Sequence, residues 1–346
     1  MSENTSRTEL SALGEFGLIE RLASRIQLQQ ASSVKGIGDD AAVIDPQDLH
    51  QVVTTDMLLE GVHFDLGYVP LKHLGYKAIV VNLSDVYAMN ATPTQVTMSI
   101  GVSNRLSVEA LEDFYEGVYA ACDKYGVDLV GGDTASSQKG FIISVTAIGE
   151  VEADKVVRRS GARKGDLLCC SGDLGGAYIG LLFLEREKRI YMENPSIQPD
   201  LEGESYVIGR LLKPDARRDI IEFFEKAGIV PTSMMDISDG LSSEILHICE
   251  QSGVGCILYE EKIPISEESR NAAFKFQIDP TACALSGGED YELLFTIRQE
   301  DYDKVQANSN ISIIGYMTES EKGAHIITKG GSTHAITAQG WNAFKK

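Results

Sequence analysis

The 346-residue chain has few cysteines, few prolines and no long apolar run, and each shortage removes a class of protein. Its six cysteines (Cys122, Cys169, Cys170, Cys249, Cys256 and Cys283) include no Cys-x-x-Cys pair and sit mostly within apolar stretches, as reduced thiols packed in a core do, so neither a disulfide scaffold nor a zinc ribbon is expected. No stretch of 18 apolar residues occurs, and the opening MSENTSRTEL lacks a basic start followed by an apolar segment. A soluble cytoplasmic protein is expected. Positive charge is also short: 31 Lys plus Arg stand against 51 Asp plus Glu, a net charge of −20, which argues against nucleic acid and against anionic membrane as partners. Any phosphate must be held locally.

Familiar catalytic signatures are missing as well. There is no G-x-x-x-x-G-K-[ST] phosphate loop, no G-x-S-x-G nucleophile elbow and no EF-hand run, and the six histidines show no triad spacing. GIGDDA (36–41) and GVGCIL (253–258) begin like a dinucleotide fingerprint but lack its third glycine. In SGDLGGAYIG (171–180) a tight turn with close packing is favoured over an anion cradle.

What remains is an α/β pattern of a length that suits two domains. Strands are expected at 51–57, 95–102 and 141–151. Helices are expected at 14–24, at 71–89, and at 106–126, the last opened by Ser107 and closed by Gly126. A charged, turn-like stretch near 151–165 places the boundary between residues 1–152 and 153–346; a second series follows with the strand DLLCCSG and the helix GGAYIGLLFLERE. The polar stretch 187–206, with Pro195 and Pro199, is expected to be a surface loop. One internal echo stands out: NLSD (82–85) returns as DISD (236–239), and GGD (131–133) as GGED (287–290), as in a chain built from two similar α/β units.

Six places set a carboxylate beside glycine or at the edge of an apolar run: GIGDD, TTD (54–56), NLSD, GGD, DISDG and GGED. Singly, each reads as a turn former or helix cap. Together they suggest convergence, and ionised carboxylates about 4 Å apart repel by roughly 4 kcal/mol at an effective dielectric near 20, so cations are required. Oxygen-only ligands, with the Thr54 and Thr55 hydroxyls alongside, suit hard ions such as Mg²⁺. His63, after the TTD loop, is equally readable as a phosphate contact or as an ordinary surface or half-buried histidine, whereas Arg158 and Arg159, at a turn after a strand, can clamp phosphate but are usually just solvated.

The ordered motifs GEFGLI, GIGDDAAV, TTDMLLEGVHF, YKAIVVNLSDVYAM, LVGGDT, RSGARKGD, MDISDGL, LSGGEDYELLFT and a terminal GW resemble those of the thiamine-monophosphate kinases, from about residue 14 to 341. The resemblance implies a two-domain aminoimidazole ribonucleotide synthetase-like fold, α/β overall, whose N-terminal strands form a homodimer interface and whose ATP lies between the domains. It implies Mg²⁺ ligands at Asp40, Thr54, Thr55, Asp56, Asp85, Asp133, Asp236 and Asp239. It further implies ATP contacts at Tyr115, Gly132, Asp133, Arg159 and Ser238, and contacts to thiamine monophosphate at His63, Glu289 and Trp341. The expected reaction is transfer of the γ-phosphate of ATP to thiamine monophosphate, with several Mg²⁺ ions and no covalent nucleophile or general base. A phosphate monoester is already nucleophilic at neutral pH, so positioning and charge neutralisation suffice. Ala343 departs from a histidine that relatives often carry. The rival readings are a selenophosphate synthetase-like or hydrogenase-maturation-like enzyme, each usually marked by a terminal reactive Cys or selenocysteine that this chain lacks, and a non-catalytic divalent-metal binder.

Overall fold

The computed structural model describes residues 33–35, 42–44, 48–103 and 105–338. The expected helix at 14–24, Asp40, Trp341 and Ala343 lie outside them. In chain order the first half comprises β1 (Ser33–Lys35), β2 (Ala42–Ile44), β3 (Leu49–Leu59), α1 (Leu71–Ala88), β4 (Thr92–Val102), α2 (Val108–Tyr125), β5 (Asp128–Ser136) and β6 (Ile142–Glu152). The strands form one sheet in the order β1-β2-β3-β6-β4-β5, antiparallel except for β4–β5, which the α2 crossover joins in parallel.

Period-two alternation sets the two faces of this sheet. On β6, Ile143, Val145 and Ala147 are buried, whereas Ser144 and Thr146 are only half-buried on the opposite face. α1 lies on the first of these faces and is in turn covered by α2. A helix sandwiched in this way must be apolar nearly all round, which is what LKHLGYKAIVVNLSDVYA provides. The two helices touch at backbone distance: a Cβ on Gly117 would lie 1.8 Å from the Lys72 carbonyl oxygen, and one on Gly75 1.9 Å from that of Phe114. As expected, Ser107 caps α2 by accepting the Ala110 N–H at 3.2 Å, and Gly126 closes it at φ 69°.

The second half contains β7 (Leu167–Ser171), α3 (Gly176–Glu193), α4 (Ser205–Leu212), α5 (Arg218–Ala227), β8 (Ser233–Asp236), α6 (Leu241–Ser252), β9 (Val254–Tyr259), α7 (Glu267–Lys275), α8 (Pro280–Ser286), β10 (Leu293–Ile297), α9 (Tyr302–Gln306), β11 (Ile311–Glu319), β12 (Ala324–Ile327) and β13 (Thr333–Ala335). The sheet order is β13-β12-β9-β11-β7-β10-β8. Its central strands are covered on both sides, which explains unbroken apolar runs such as LLFTI. Cys169 faces Phe224 of α5, while its neighbour Cys170 faces the cluster around Ile245 and Ile248 of α6. All six thiols are free and buried.

One expected loop is corrected. α3 runs on to Glu193, so the first seven residues of 187–206 are helical, and only Asn194 before Pro195 turns extended. Its buried Glu187 accepts the Asp200 N–H at 2.9 Å and thereby ties the following loop down. The strand ends, α1 and the turn before β10 together leave a cleft between the two sheets.

Candidate active site

That cleft is a cavity of about 1200 Å³. β3 supplies Thr54 and Asp56 to it, and the backbone N–H of Asp56 is held by Asn82 Oδ1 of α1 at 3.1 Å. α1 supplies Asp85, whose Oδ2 accepts the Thr54 hydroxyl at 2.6 Å. The end of β8 and the turn after it supply Asp236, Ser238 and Asp239. Ser84 Oγ donates to Asp236 Oδ2 at 2.7 Å, so the NLSD and DISD motifs that echo one another in sequence meet in space. His63 also lines the cavity. Its Nδ1 accepts the Leu59 N–H at 3.0 Å, which puts the proton of the neutral ring on Nε2.

The electrostatics show the same convergence. Burial lifts the Tyr291 hydroxyl well above its ordinary pKa, and Glu289, Asp56, Asp236 and Asp85, drawn from both halves of the chain, act on it in the same direction. Among the described residues nine carboxylates line the cavity against three lysines or arginines, Lys77, Arg159 and Lys188. Such a site repels a polyphosphate unless cations come with it.

Of the residues expected from sequence, Thr54, Asp56, His63, Asp85, Arg159, Asp236, Ser238, Asp239 and Glu289 all border this space. Thr55 borders it too, but its hydroxyl serves the opposite face of the sheet, donating to the Val145 carbonyl at 2.9 Å and accepting from Thr146 at 3.1 Å. Asp133 is not brought here within one chain. Its row runs Asp133–Ser99–Ser144–Met57, three strand spacings or about 14 Å across the face away from α1. Gly132 is demanded by close packing, since a Cβ there would lie 2.0 Å from the Met98 carbonyl oxygen. Tyr115 packs edge-on against Phe114.

Sequence reasoning passed over Lys77 and Glu244, and from the GGED motif it took Glu289 and not its neighbour Asp290. Lys77, 7% exposed, pairs with Glu289. Glu244 is buried, with Oε1 accepting the Asp239 N–H at 3.0 Å and Oε2 without a partner; burial and then the neighbouring Asp239 and Asp236 raise its pKa well above the usual range. Asp290 is buried behind the cavity wall. Its Oδ2 accepts the Gly175 N–H at 2.8 Å at the start of α3, so the protein's own carboxylate takes the place an external anion would need. The only signal for Lys77 was a charge set inside an otherwise apolar helix; Glu244 resembled any first-turn acid.

The family models for the AIR synthase related protein N-terminal and C-terminal domains match residues 38–151 and 200–328. The thiamine-monophosphate kinase of Aquifex aeolicus (strain VF5) is 36% identical over 97% of this chain and 99% of its own length. This chain belongs to the thiamine-monophosphate kinases. That family is also represented by the Bacillus subtilis (strain 168) enzyme, 31% identical over 96% of this chain and all of its own length. A solved structure, AaThiL complexed with AMPPCP and TMP, superposes with a TM-score of 0.82 at 35% identity, covering 99% of this chain and all of that one. Hydrogenase maturation protein HypE in complex with ATP, at 20% identity and a TM-score of 0.67, shares the fold alone. Membership makes this chain a phosphotransferase of two AIR synthase-like domains.

Proposed function

We propose that the cavity between the two sheets is where this kinase transfers the γ-phosphate of ATP to thiamine monophosphate, with Mg²⁺ held by the carboxylates that converge there. The observation that carries this reading is the meeting of Asp56 and Asp85 from one half with Asp236 and Asp239 from the other around a single space. An oxygen of the thiamine monophosphate phosphate forms the new O–P bond, the bond between the γ-phosphorus and the β–γ bridging oxygen breaks, and ADP leaves with that electron pair.

The residues fit hard divalent ions. Among the described residues no three acidic, His or Cys side chains make a finished metal cage. Mg²⁺ commonly takes one or two carboxylates and completes its shell with water and substrate phosphates. Asp56, Asp85, Asp236 and Asp239, with the Thr54 and Thr55 oxygens and Asp40, are the candidate holders. When bound, the ions neutralise charge between carboxylates and polyphosphate. In this reading Arg159 and Ser238 contact ATP, and His63 and Glu289 contact the acceptor; all four line the cavity.

The homodimer belongs to the same reading. Thr55 and Asp133 share the sheet face that α1 leaves open, where Met57 is 54% exposed. A second copy on that face would bring its Asp133 and Gly132 toward the first copy's site. Residues 1–152 then form the nucleotide-binding and dimerisation domain and residues 153–346 complete the site. Among the described residues no helix is long and apolar enough to cross a membrane, and a cytoplasmic location is part of this reading. Incubation with ATP, Mg²⁺ and thiamine monophosphate, followed by chromatography of the products, should yield ADP and thiamine diphosphate. Absence of thiamine diphosphate would refute the proposal.

A further inference from the structure

Lys77 lies midway along α1 in the row Leu74, Lys77, Val81 and Asp85, the spacing that puts side chains on one helix face, and that face borders the cavity. Its ammonium donates to Glu289 Oε2 across the cleft between the two halves. The Lys77 side chain is 9% exposed and the Glu289 side chain 32%.

The backbone at Glu289 is held in an uncommon shape to make this contact. Gly288 and Glu289 have φ of 71° and 60°, and Tyr291 has φ 51°. For residues other than glycine such a conformation is unfavourable and persists only where the surroundings hold it. Here the Glu289 N–H bonds the Ser238 carbonyl at 2.7 Å and the Tyr291 N–H bonds that of Ile237 at 2.9 Å. The turn is thereby fixed with the Glu289 carboxylate presented to the cavity and to Lys77.

Breaking a buried ion pair by removing one partner leaves a desolvated charge and is strongly unfavourable. A ligand carrying both charges escapes that penalty, because each protein group can exchange its partner for one of the ligand's. The acceptor in the proposed reaction is such a ligand, with a permanently cationic thiazolium ring and a phosphate monoester. We propose that the Lys77–Glu289 pair is a placeholder for the zwitterionic acceptor: on binding, Glu289 turns to the cationic ring and Lys77 to the phosphate. Lys77 is then a specificity-determining residue, distinguishing the phosphorylated vitamin from the free one. Asp85 lies two helical turns on, roughly 12 Å along α1, which leaves the acceptor phosphate a place between Lys77 and the carboxylates.

This rests on the kinase reading, and calorimetric binding separates the two. Thiamine monophosphate and thiamine, which share the cation but not the phosphate, are titrated with Mg²⁺ and a non-hydrolysable ATP analogue present. Lys77→Met should lower affinity for thiamine monophosphate by roughly 10- to 100-fold, the loss of a charged hydrogen bond, while affinity for thiamine holds or rises because Glu289 is released. Lys77→Arg should retain most of the preference, and Glu289→Gln should weaken both ligands. Lys77→Met combined with Glu289→Gln leaves no orphaned charge, so it tests the idea even where the single variant fails to fold, and it should abolish the preference. An unchanged ratio of the two affinities in a folded Lys77→Met or in the double variant overturns the inference. A wild-type chain that binds neither ligand overturns the kinase reading instead.

Discussion

Ser84, near the C-terminal end of α1, donates a 2.7 Å hydrogen bond to Asp236, which ends β8 in the other half of the chain 152 residues away. Both side chains are buried, so this bond ties α1 of the first half to the second sheet away from solvent. Ser84→Ala removes one donor from a buried carboxylate. It should cost about 1–3 kcal/mol of stability, read as a lower urea midpoint with an unchanged m-value.

Asp56 and Asp85 are, with Asp65, the cavity carboxylates of the first half, and they are the two that face Asp236 and Asp239 of the second. Asp56→Asn and Asp85→Asn should each reduce turnover by roughly 100-fold or more while circular dichroism stays native, because a metal-borne charge contact in phosphoryl transfer is worth several kcal/mol. EDTA should abolish turnover of the wild type and added Mg²⁺ restore it. Near-normal rates in both variants would end the metal-assisted mechanism.

Asp133 offers a test of the dimer. If it serves the partner's site, an Asp133→Asn chain and an Asp85→Asn chain are each inactive alone. Mixed after unfolding and refolding together, half the dimers are hybrids, each with one intact site, so roughly a quarter of wild-type activity should return. No recovery would place Asp133 in its own chain's site or outside catalysis.

Asp290 carries a pH signature. Burial raises its pKa to about 7 against the pull of Arg210, whose guanidinium lies 3.9 Å from Oδ1 without a hydrogen bond to it. The unfolded chain gives up this proton near its ordinary value of 3.8. Between those two values unfolding releases a proton, so this group's contribution to stability falls as pH rises from about 4 to about 7. Asp290→Asn should remove that component, seen as a flatter melting-temperature profile across the window; an unchanged slope would show the carboxyl is ionised throughout.

Gly117 and Gly75 set how closely α1 and α2 approach. In Gly117→Ala the new methyl meets the Lys72 carbonyl oxygen at 1.8 Å, so the helices must separate, at a cost of about 1–3 kcal/mol or more. Gly209→Ala, where a Cβ meets nothing within 4 Å, is the matched control. Equal melting temperatures for the two variants would refute the close-packing argument.

Much of this was readable in one dimension, because local rules decide it. Alternation marks β3, β4 and β6; Ser107 and Gly126 bracket α2 because a cap and a left-handed residue are local chemistry; and four of the six acidic motifs, TTD, NLSD, DISDG and GGED, supply residues that line the cavity. The reach of α3 past 187 was missed because the two prolines of that stretch lie beyond the point where its helix-forming residues end.

The tertiary structure alone decided who meets whom. Spacing along the chain holds no information about which side of the first sheet a loop residue serves, so it grouped Thr54 with Thr55 and Asp56 with Asp133, whereas the pleat sends the Thr55 hydroxyl and Asp133 to the face away from α1. Nor does it pair Lys77 with Glu289, 212 residues apart. Residue types and local periods follow from short-range sterics and hydrogen bonding, and the chain states these directly. Facing partners depend on how two sheets and a buried helix pack, and that is set only when the whole core closes.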